Sequence, residues 1–284
     1  MKKTLLYFIL LGLIVSACSN DTETTSQGKS ESSSNESEAV EEQKAESEEN
    51  AENENSHEEE IEEKAEAKYK VTENWSLVPI KEGANEDVVL LTIDDAPDKH
   101  AVEMAKTLKE LDAKAIFFVN GHFLDTPEEE KMLKEIHDMG FFIGNHTYNH
   151  VTIPEVSEEV QKEEIVSLND RVEEIIGERP VFFRAPHGAN TDYSTQVAEA
   201  EGMTVMNWTY GYDYFKPYMN AEKLTTAMVT GEGPEVDVPY SLLKPGANLL
   251  MHDREWTKEA LPDIVKGLRD KGYEMLDPAL IKIN

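Results

Sequence analysis

The sequence predicts an α/β fold in which helices cover a parallel sheet that is either open or closed into a barrel. In residues 68–284, short apolar runs typical of buried strands alternate with longer amphipathic segments typical of helices. The length of this region is ordinary for one α/β barrel domain. Polar side chains follow several of the apolar runs, and the carboxyl ends of parallel strands share one face. These side chains are therefore expected to converge on one site.

The predicted elements follow one another in regular order. The first strand spans residues 88–93, and the first helix spans residues 101–111, where apolar residues recur with a helical period. The remaining strands are predicted at 115–119, 141–144, 181–184, 204–208 and 248–252. The remaining helices are predicted at 127–139, 157–176, 194–201 and 259–271. Residues 216–243 are predicted to form a long connection beside the site.

Residues 1–17 are predicted to form a signal peptide that is removed on export. Lys2 and Lys3 precede an apolar run over residues 5–15, which is too short to span a bilayer core of about 30 Å. The residues before Cys18, the single cysteine of the chain, resemble a bacterial lipobox, in which the cysteine is lipidated. We therefore expect a protein anchored through Cys18 to the outer face of the bacterial cell membrane. The alternative is an ordinary signal peptide followed by an incidental cysteine.

Residues 18–67 are predicted to be a disordered tether. From residue 19 to residue 67 the chain has 18 acidic and 3 basic residues, and its few apolar residues are isolated, so burial cannot offset the entropy of ordering. The formal net charge of the whole chain is −31, and such an excess of carboxylates repels a phosphate backbone. Nucleic acid is therefore excluded as a partner. With one cysteine, the chain has no Cys-rich zinc site, so a metal would need His, Asp or Glu ligands.

Two histidines, His146 and His150, stand four positions apart after a predicted strand. On a helical turn their rings would lie on one face about 5–6 Å apart, near enough to bind one cation. Asp95 would add a carboxylate, and two His with one Asp leave coordination positions open for water, as in a catalytic zinc site. Asp94 and Asp95 would point to opposite faces of a strand, so they can have different tasks. The alternatives are an incidental His pair and a solvated Asp-Asp turn.

Five short motifs, in this order, resemble those of the polysaccharide deacetylase family, which has the NodB homology domain and forms carbohydrate esterase family 4. The motifs are residues 92–97, 146–150, 184–188, 213–214 and 250–252. The resemblance covers nearly all of residues 86–280. It implies a distorted, incomplete α/β barrel as the catalytic domain, residues 68–284. It also implies hydrolysis of N-acetyl groups on an extracellular N-acetylated glycan. The expected glycan is peptidoglycan or poly-N-acetylglucosamine.

The resemblance further implies a role for each motif residue. The metal ligands would be Asp95, His146 and His150, with zinc as the expected ion and cobalt or manganese as alternatives. The catalytic residues would be Asp94 as general base, Arg184 as its ion-pair partner, His252 as general acid and Asp213 as the partner of His252. The substrate would contact the backbone N–H of His187 and the side chains of Trp208, Tyr214 and Leu250. We expect the domain to be a monomer.

Several positions depart from the family pattern. Ala96 replaces a usual Gly and would be strained if that position required a positive φ. Gly211 replaces a usual Asp, Tyr214 a usual Trp, and His187 a common Tyr. Ala96, Gly211 and Tyr214 motivate a second hypothesis, a catalytically impaired lipoprotein of the same fold that only binds glycans. A third hypothesis, an exported solute-binding lipoprotein, does not account for the His pair.

Overall fold

The computed structural model describes residues 66–283. The predicted signal peptide, Cys18 and almost all of the predicted tether lie outside the described residues. The strands are β1 (Tyr69–Val71), β2 (Leu77–Pro79), β3 (Val88–Ala96), β4 (Ala115–Val119), β5 (Phe142–Asn145), β6 (Phe182–Phe183), β7 (Thr204–Val205), β8 (Ala247–His252) and β9 (Glu274–Met275). The helices are α1 (Ala101–Glu110), α2 (Pro127–Asp138), α3 (Glu158–Ile176), α4 (Asp192–Ala200), α5 (Ala221–Thr230) and α6 (Glu255–Asp270).

Seven parallel strands form one sheet that curls into a half-barrel. The strand order is β7-β6-β5-β4-β3-β8, and β9 pairs with the start of β3. The chain that follows β7 pairs with β8 through a parallel bridge between Tyr210 and Leu249. Leu250 N donates to Tyr210 O at 2.9 Å, which brings the two ends of the sheet together. The prediction of a distorted, incomplete barrel is confirmed.

Strand β3 is the centre of the hydrophobic core. Parallel strands covered on both faces read as continuous apolar runs, and the residues from Val88 to Ile93 are all buried. Leu91 and Ile93 belong to the cluster that includes apolar side chains of α1 and α6, whereas Leu90 packs in a second cluster with Phe118. The end of β3, where the two aspartates follow, is therefore held rigidly from both sides.

Local sequence signals explain where the helices begin and end. Thr126 caps α2 in a reciprocal capping box with Glu129, and the Ser157 side chain accepts from Val160 N at the start of α3. Helix α3 ends at Gly177, whose φ of 81° is easy only for a residue without a side chain. The predicted strand–helix order is confirmed, with boundaries shifted by at most four residues.

The structure corrects the prediction in two regions. Residues 216–243 are not only a connection, because they contain α5, which buries Leu224, Ala227 and Met228. The hairpin of β1 and β2 and the short β9 were not predicted, since two or three residues are too few to show a period. None of the helices in the described part of the chain has the length and apolar character needed to cross a bilayer.

Candidate metal centre and catalytic cavity

The carboxyl ends of the parallel strands surround one cavity of about 570 Å³. The predicted site residues that line it are Asp94, Asp95, His146, His150, His187, Trp208, Asp213, Tyr214, Leu250 and His252. Arg184 does not line the cavity but lies fully buried behind Asp94. The structure thus brings together residues that are up to 158 positions apart in the sequence, from Asp94 to His252.

Both aspartates at the end of β3 contact the same histidine. Asp94 Oδ2 lies 3.6 Å from His146 Nε2, and Asp95 Oδ1 lies 3.9 Å from that atom. Asp95 has a φ of 60°, which interrupts the strand alternation, so the expectation that the two carboxylates point to opposite faces was wrong. Ala96 does not adopt a positive φ and is a buried β3 residue paired with Val119. The strain expected at Ala96 is therefore absent.

His146 is prepared to bind a cation through one ring nitrogen. Its Nδ1 lies 2.7 Å from the carbonyl oxygen of Arg184. Because a carbonyl only accepts hydrogen bonds, Nδ1 carries the proton and Nε2 presents its lone pair to the aspartates. Burial lowers the pKa of His146, although the nearby charges of Asp94 and Asp95 oppose this shift. The ring is therefore neutral near pH 7, as a metal ligand must be.

His150 completes the candidate metal centre. Its Nε2 lies 3.5 Å from Asp95 Oδ1, and one ligand atom from each of Asp95, His146 and His150 lies within 4.8 Å of the others. Burial and the proximity of His146 lower the pKa of His150 to about 4. Burial alone would raise the pKa of Asp95, but the charges of His252, His146 and Arg254 lower it. Two neutral imidazoles and one carboxylate suit zinc and other divalent transition metals.

The segment between the two histidines is not the helical turn that the spacing suggested. Thr147 and His150 have φ values of 66° and 55°, so the segment is a loop. The rings nevertheless face each other edge to face with centroids 5.0 Å apart. Glu164 of α3 holds the loop, because its carboxylate accepts from Asn149 N and from Asn149 Nδ2, both at 2.7 Å.

Asp94 forms a buried ion pair with Arg184. Arg184 Nη1 donates to Asp94 Oδ1 at 2.6 Å and to Thr92 Oγ1 at 2.9 Å. The Arg184 side chain is fully buried, and its guanidinium also donates to the carbonyls of Met206 and Asn207. The ion pair fixes Oδ1 and leaves Oδ2 of Asp94 directed at His146. This carboxylate oxygen can accept a proton.

His252, the register partner of Asp94 on the neighbouring strand β8, forms a second charged pair in the cavity. His252 Nδ1 lies 2.8 Å from Asp213 Oδ1, and His252 N donates to Asp213 Oδ2 at 2.6 Å. Asp213 is fully buried, and its Oδ2 also accepts from Thr257 Oγ1 at 2.8 Å. Burial alone would lower the pKa of His252, but Asp213 raises it to about 9. His252 is therefore protonated near pH 7 and can donate a proton.

Comparisons with known proteins agree with this arrangement. The sequence profile described as polysaccharide deacetylase matches residues 81–206. A peptidoglycan-N-acetylglucosamine deacetylase from Bacillus cereus is 31% identical over 220 residues, which cover 74% of this chain and 76% of that protein. The chain belongs to the polysaccharide deacetylase family. Membership supports a hydrolase that deacetylates a glycan.

Solved structures of polysaccharide deacetylases share the fold. Peptidoglycan deacetylase PdaC from Bacillus subtilis superposes with a TM-score of 0.58 at 25% identity, covering 69% of this chain and 89% of that one. A family 4 carbohydrate esterase pseudoenzyme from Bacillus anthracis has a TM-score of 0.58 at 26% identity, covering 67% of this chain and 63% of that one. The chain therefore spans less than two thirds of the pseudoenzyme, and family membership alone does not fix activity.

The departures from the family pattern fit the local packing. A Cβ on Gly211 would lie 2.5 Å from Leu250 O, so the usual Asp has no room here. Asp213 nevertheless reaches His252, as the polysaccharide deacetylase motif implies. His187 has a φ of 60° and an exposed ring whose centroid is 5.1 Å from that of His150. Tyr214 is 43% exposed and contacts His252 edge to face.

Three cavity residues were not predicted. Met219, Arg254 and Trp256 also line the deacetylase cavity. Arg254 Nη2 donates to Asp95 Oδ2 at 2.6 Å, and Trp256 Nε1 donates to Asp213 O at 2.8 Å. Arg254 and Trp256 follow His252 within four positions, and their closeness to that motif was the available signal. Met219 belongs to residues 216–243, for which the sequence predicted only a long connection.

Proposed function

We propose that this protein is a metal-dependent N-deacetylase that hydrolyses acetamido groups of an N-acetylated glycan outside the cell, peptidoglycan or poly-N-acetylglucosamine. One observation carries the proposal. The candidate ligands Asp95, His146 and His150 share one cavity with a candidate base, Asp94 paired with Arg184, and a candidate acid, His252 paired with Asp213. Amide hydrolysis requires a proton acceptor for the attacking water and a proton donor for the departing amine.

A divalent metal held by Asp95, His146 and His150 would polarise the acetamide carbonyl and lower the pKa of bound water. Zinc is the ion that this donor set favours first, with cobalt and manganese as further candidates. His146 Nε2 is free to bind because Nδ1 is committed to the Arg184 carbonyl. The remaining oxygen of Asp95 stays paired with Arg254.

The protein residues then move two protons. Asp94 Oδ2 accepts a proton from water as the water oxygen bonds to the carbonyl carbon, while Arg184 holds Asp94 Oδ1 in place. The backbone N–H of His187 donates to the developing oxyanion. His252 gives its proton to the amide nitrogen, the C–N bond breaks, and the products are acetate and a free amine. Asp213 keeps His252 protonated until that step.

The rest of the cavity wall suits a sugar. Trp208, Tyr214 and Leu250 provide aromatic and apolar surface. The exposed edge of Tyr214 and the exposed Met219 extend this surface to the mouth of the cavity. Sugar rings carry apolar faces that pack on such side chains.

We also propose that the protein acts at the outer face of the cell membrane. An exported lipoprotein anchored at Cys18, with residues 18–67 as a tether, would hold the domain outside the cell membrane near its polymer substrate. This part rests on the sequence alone. Cys18→Ser should release the protein from membranes into the medium, whereas membrane retention of the unlipidated variant would refute the anchor.

The activity is tested by acetate release. Purified protein loaded with zinc should release acetate from N-acetylglucosamine oligomers or peptidoglycan, and chelation should stop the release. A protein that binds metal and sugars but releases no acetate from any glycan would instead be the impaired glycan-binding lipoprotein. One similar solved structure, from Bacillus anthracis, is a family 4 carbohydrate esterase pseudoenzyme.

A further inference from the structure

A second cavity adjoins the candidate metal centre. It has a volume of about 620 Å³ and shares Asp95, His150 and Arg254 with the catalytic cavity. Its other walls include Asp98, Lys99 and His122. A substrate with its acetamido group at the metal centre would therefore present its neighbouring substituents to this second cavity.

Arg254 lies on the boundary between the two cavities. Its Nη1 donates to Asp253 O at 2.9 Å and its Nη2 donates to Asp95 Oδ2 at 2.6 Å. A guanidinium has five N–H donors, so three remain without a partner among residues 66–283. The side chain is 37% exposed. Arg254 can therefore bind an anionic group without releasing Asp95.

Arg254 and Lys99, the two cations of the second cavity, each lie beside a carboxylate. Asp95 is shared between Arg254 and the histidines, and Asp98 lies 3.4 Å from Lys99 Nζ. Asp253 accepts hydrogen bonds from the four consecutive backbone N–H groups of residues 98–101, at 2.7 to 3.1 Å. These bonds fix the turn that carries Lys99 against the end of β8. The two cations are thus held on one wall in a chain whose net charge is −31.

We propose that Arg254, assisted by Lys99, binds a carboxylate on the glycan, so that the preferred substrate is an amino sugar polymer with acidic substituents rather than a neutral one. This inference rests on the proposed deacetylase function and adds a specificity-determining residue to it. A planar guanidinium with unused donors matches a carboxylate in two-point contact. The uncharged lining of the catalytic cavity, by contrast, contacts the sugar ring.

The test measures the activity of the full chain, purified in detergent, on three disaccharide probes. The probes are N-acetylglucosaminyl-N-acetylmuramic acid with a free carboxylate, the same disaccharide with that carboxylate converted to an amide, and neutral N,N′-diacetylchitobiose. We expect kcat/KM for the carboxylate probe to exceed that of the amide by about tenfold or more, mainly through KM, as one charge-assisted contact implies.

Arg254→Gln should remove that preference, and Lys99→Gln should reduce it. Lys266→Gln is the matched control, because Lys266 is an exposed residue of α6 that pairs with Asp270. A direct binding measurement by calorimetry, with N-acetylmuramic acid as the probe, should show weaker binding by Arg254→Gln and unchanged binding by Lys266→Gln.

Two outcomes would overturn the inference. One is equal efficiency of the wild-type protein on the carboxylate and amide probes. The other is an equal loss on all three probes in Arg254→Gln, since this would mean that Arg254 only orients Asp95. Acetate release from chitobiose separates the two proposals, because release without a carboxylate preference refutes the inference and leaves the deacetylase function intact.

Discussion

Asp94 and Asp95 show how neighbouring residues of one type acquire different tasks. Asp94 is buried, and one of its oxygens is fixed by Arg184. Asp95 turns toward the histidines through its positive φ and keeps its second oxygen on Arg254. The ligand cluster includes Asp95 but not Asp94. The backbone therefore separates a candidate base from a candidate ligand within one dipeptide.

The first prediction concerns the base. Asp94→Asn should lower kcat by about 10²- to 10⁴-fold, the usual contribution of a general base, and should leave metal content unchanged. Acetate release and metal analysis on the same sample measure both quantities. Asp138→Asn, at an exposed position at the end of α2, is the control. Loss of the metal in Asp94→Asn would show that this residue is a ligand.

The second prediction concerns the pH profile. Asp213 raises the pKa of His252 to about 9, so the acid form should persist to that pH and activity should fall above it. Asp213→Asn removes the charge that raises the pKa of His252 most, while burial still lowers it and Asp94 and Asp95 still raise it, so the alkaline limb should move to lower pH. Profiles of kcat/KM against pH measure this shift. An unchanged alkaline limb would exclude His252 as the acid.

At the scale of elements, the histidine loop depends on a helix that contributes no ligand. Glu164 of α3 is buried, and its two oxygens accept from the backbone and side chain of Asn149. The backbone N–H of Tyr148 also donates to Glu164 O at 3.0 Å. Because Thr147 and His150 adopt positive φ values, the loop needs such external support to keep its rings together.

The third prediction tests this support. Glu164→Gln places an NH₂ group against one of the two Asn149 donors, so we expect metal affinity to fall by about 10- to 100-fold, as for other residues that orient ligands. Glu163→Gln, one residue earlier and exposed, is the matched control. Competition with a chromogenic chelator gives both affinities. Equal affinity in the two variants would refute the positioning role of Glu164.

The sequence predicted the main strand–helix order because periodicity and capping act locally. Polar side chains at the ends of apolar runs indicated a shared site, since parallel strands end on one face, whereas the role of each residue came from the resemblance to the polysaccharide deacetylase family. The positive φ of Asp95 and the loop at His146–His150 were not predictable, because they depend on tertiary contacts with Arg184 and Glu164. Arg254 was not predicted because its contact with Asp95 depends on the pairing of β8 with β3.

At the scale of the whole molecule, the half-barrel gathers groups that are distant in sequence. Strands β3, β5, β6 and β8, with the chain after β7, each bring a part of the site to the same end of the sheet. The bridge between Tyr210 and Leu249 sets the position of the segment that carries Asp213 relative to β8. The pairing of β3 with β8 places Asp94 beside His252, and the closure of the sheet brings Asp213 to them.

The central claim is that Asp95, His146 and His150 bind one divalent metal between Asp94 and His252. The most direct measurement is anomalous diffraction at the zinc edge from crystals of the zinc-loaded protein. We expect a single strong peak within about 2.0–2.2 Å of one oxygen of Asp95 and one nitrogen of each histidine. A peak elsewhere, or no peak in crystals of a preparation that releases acetate, would contradict the account.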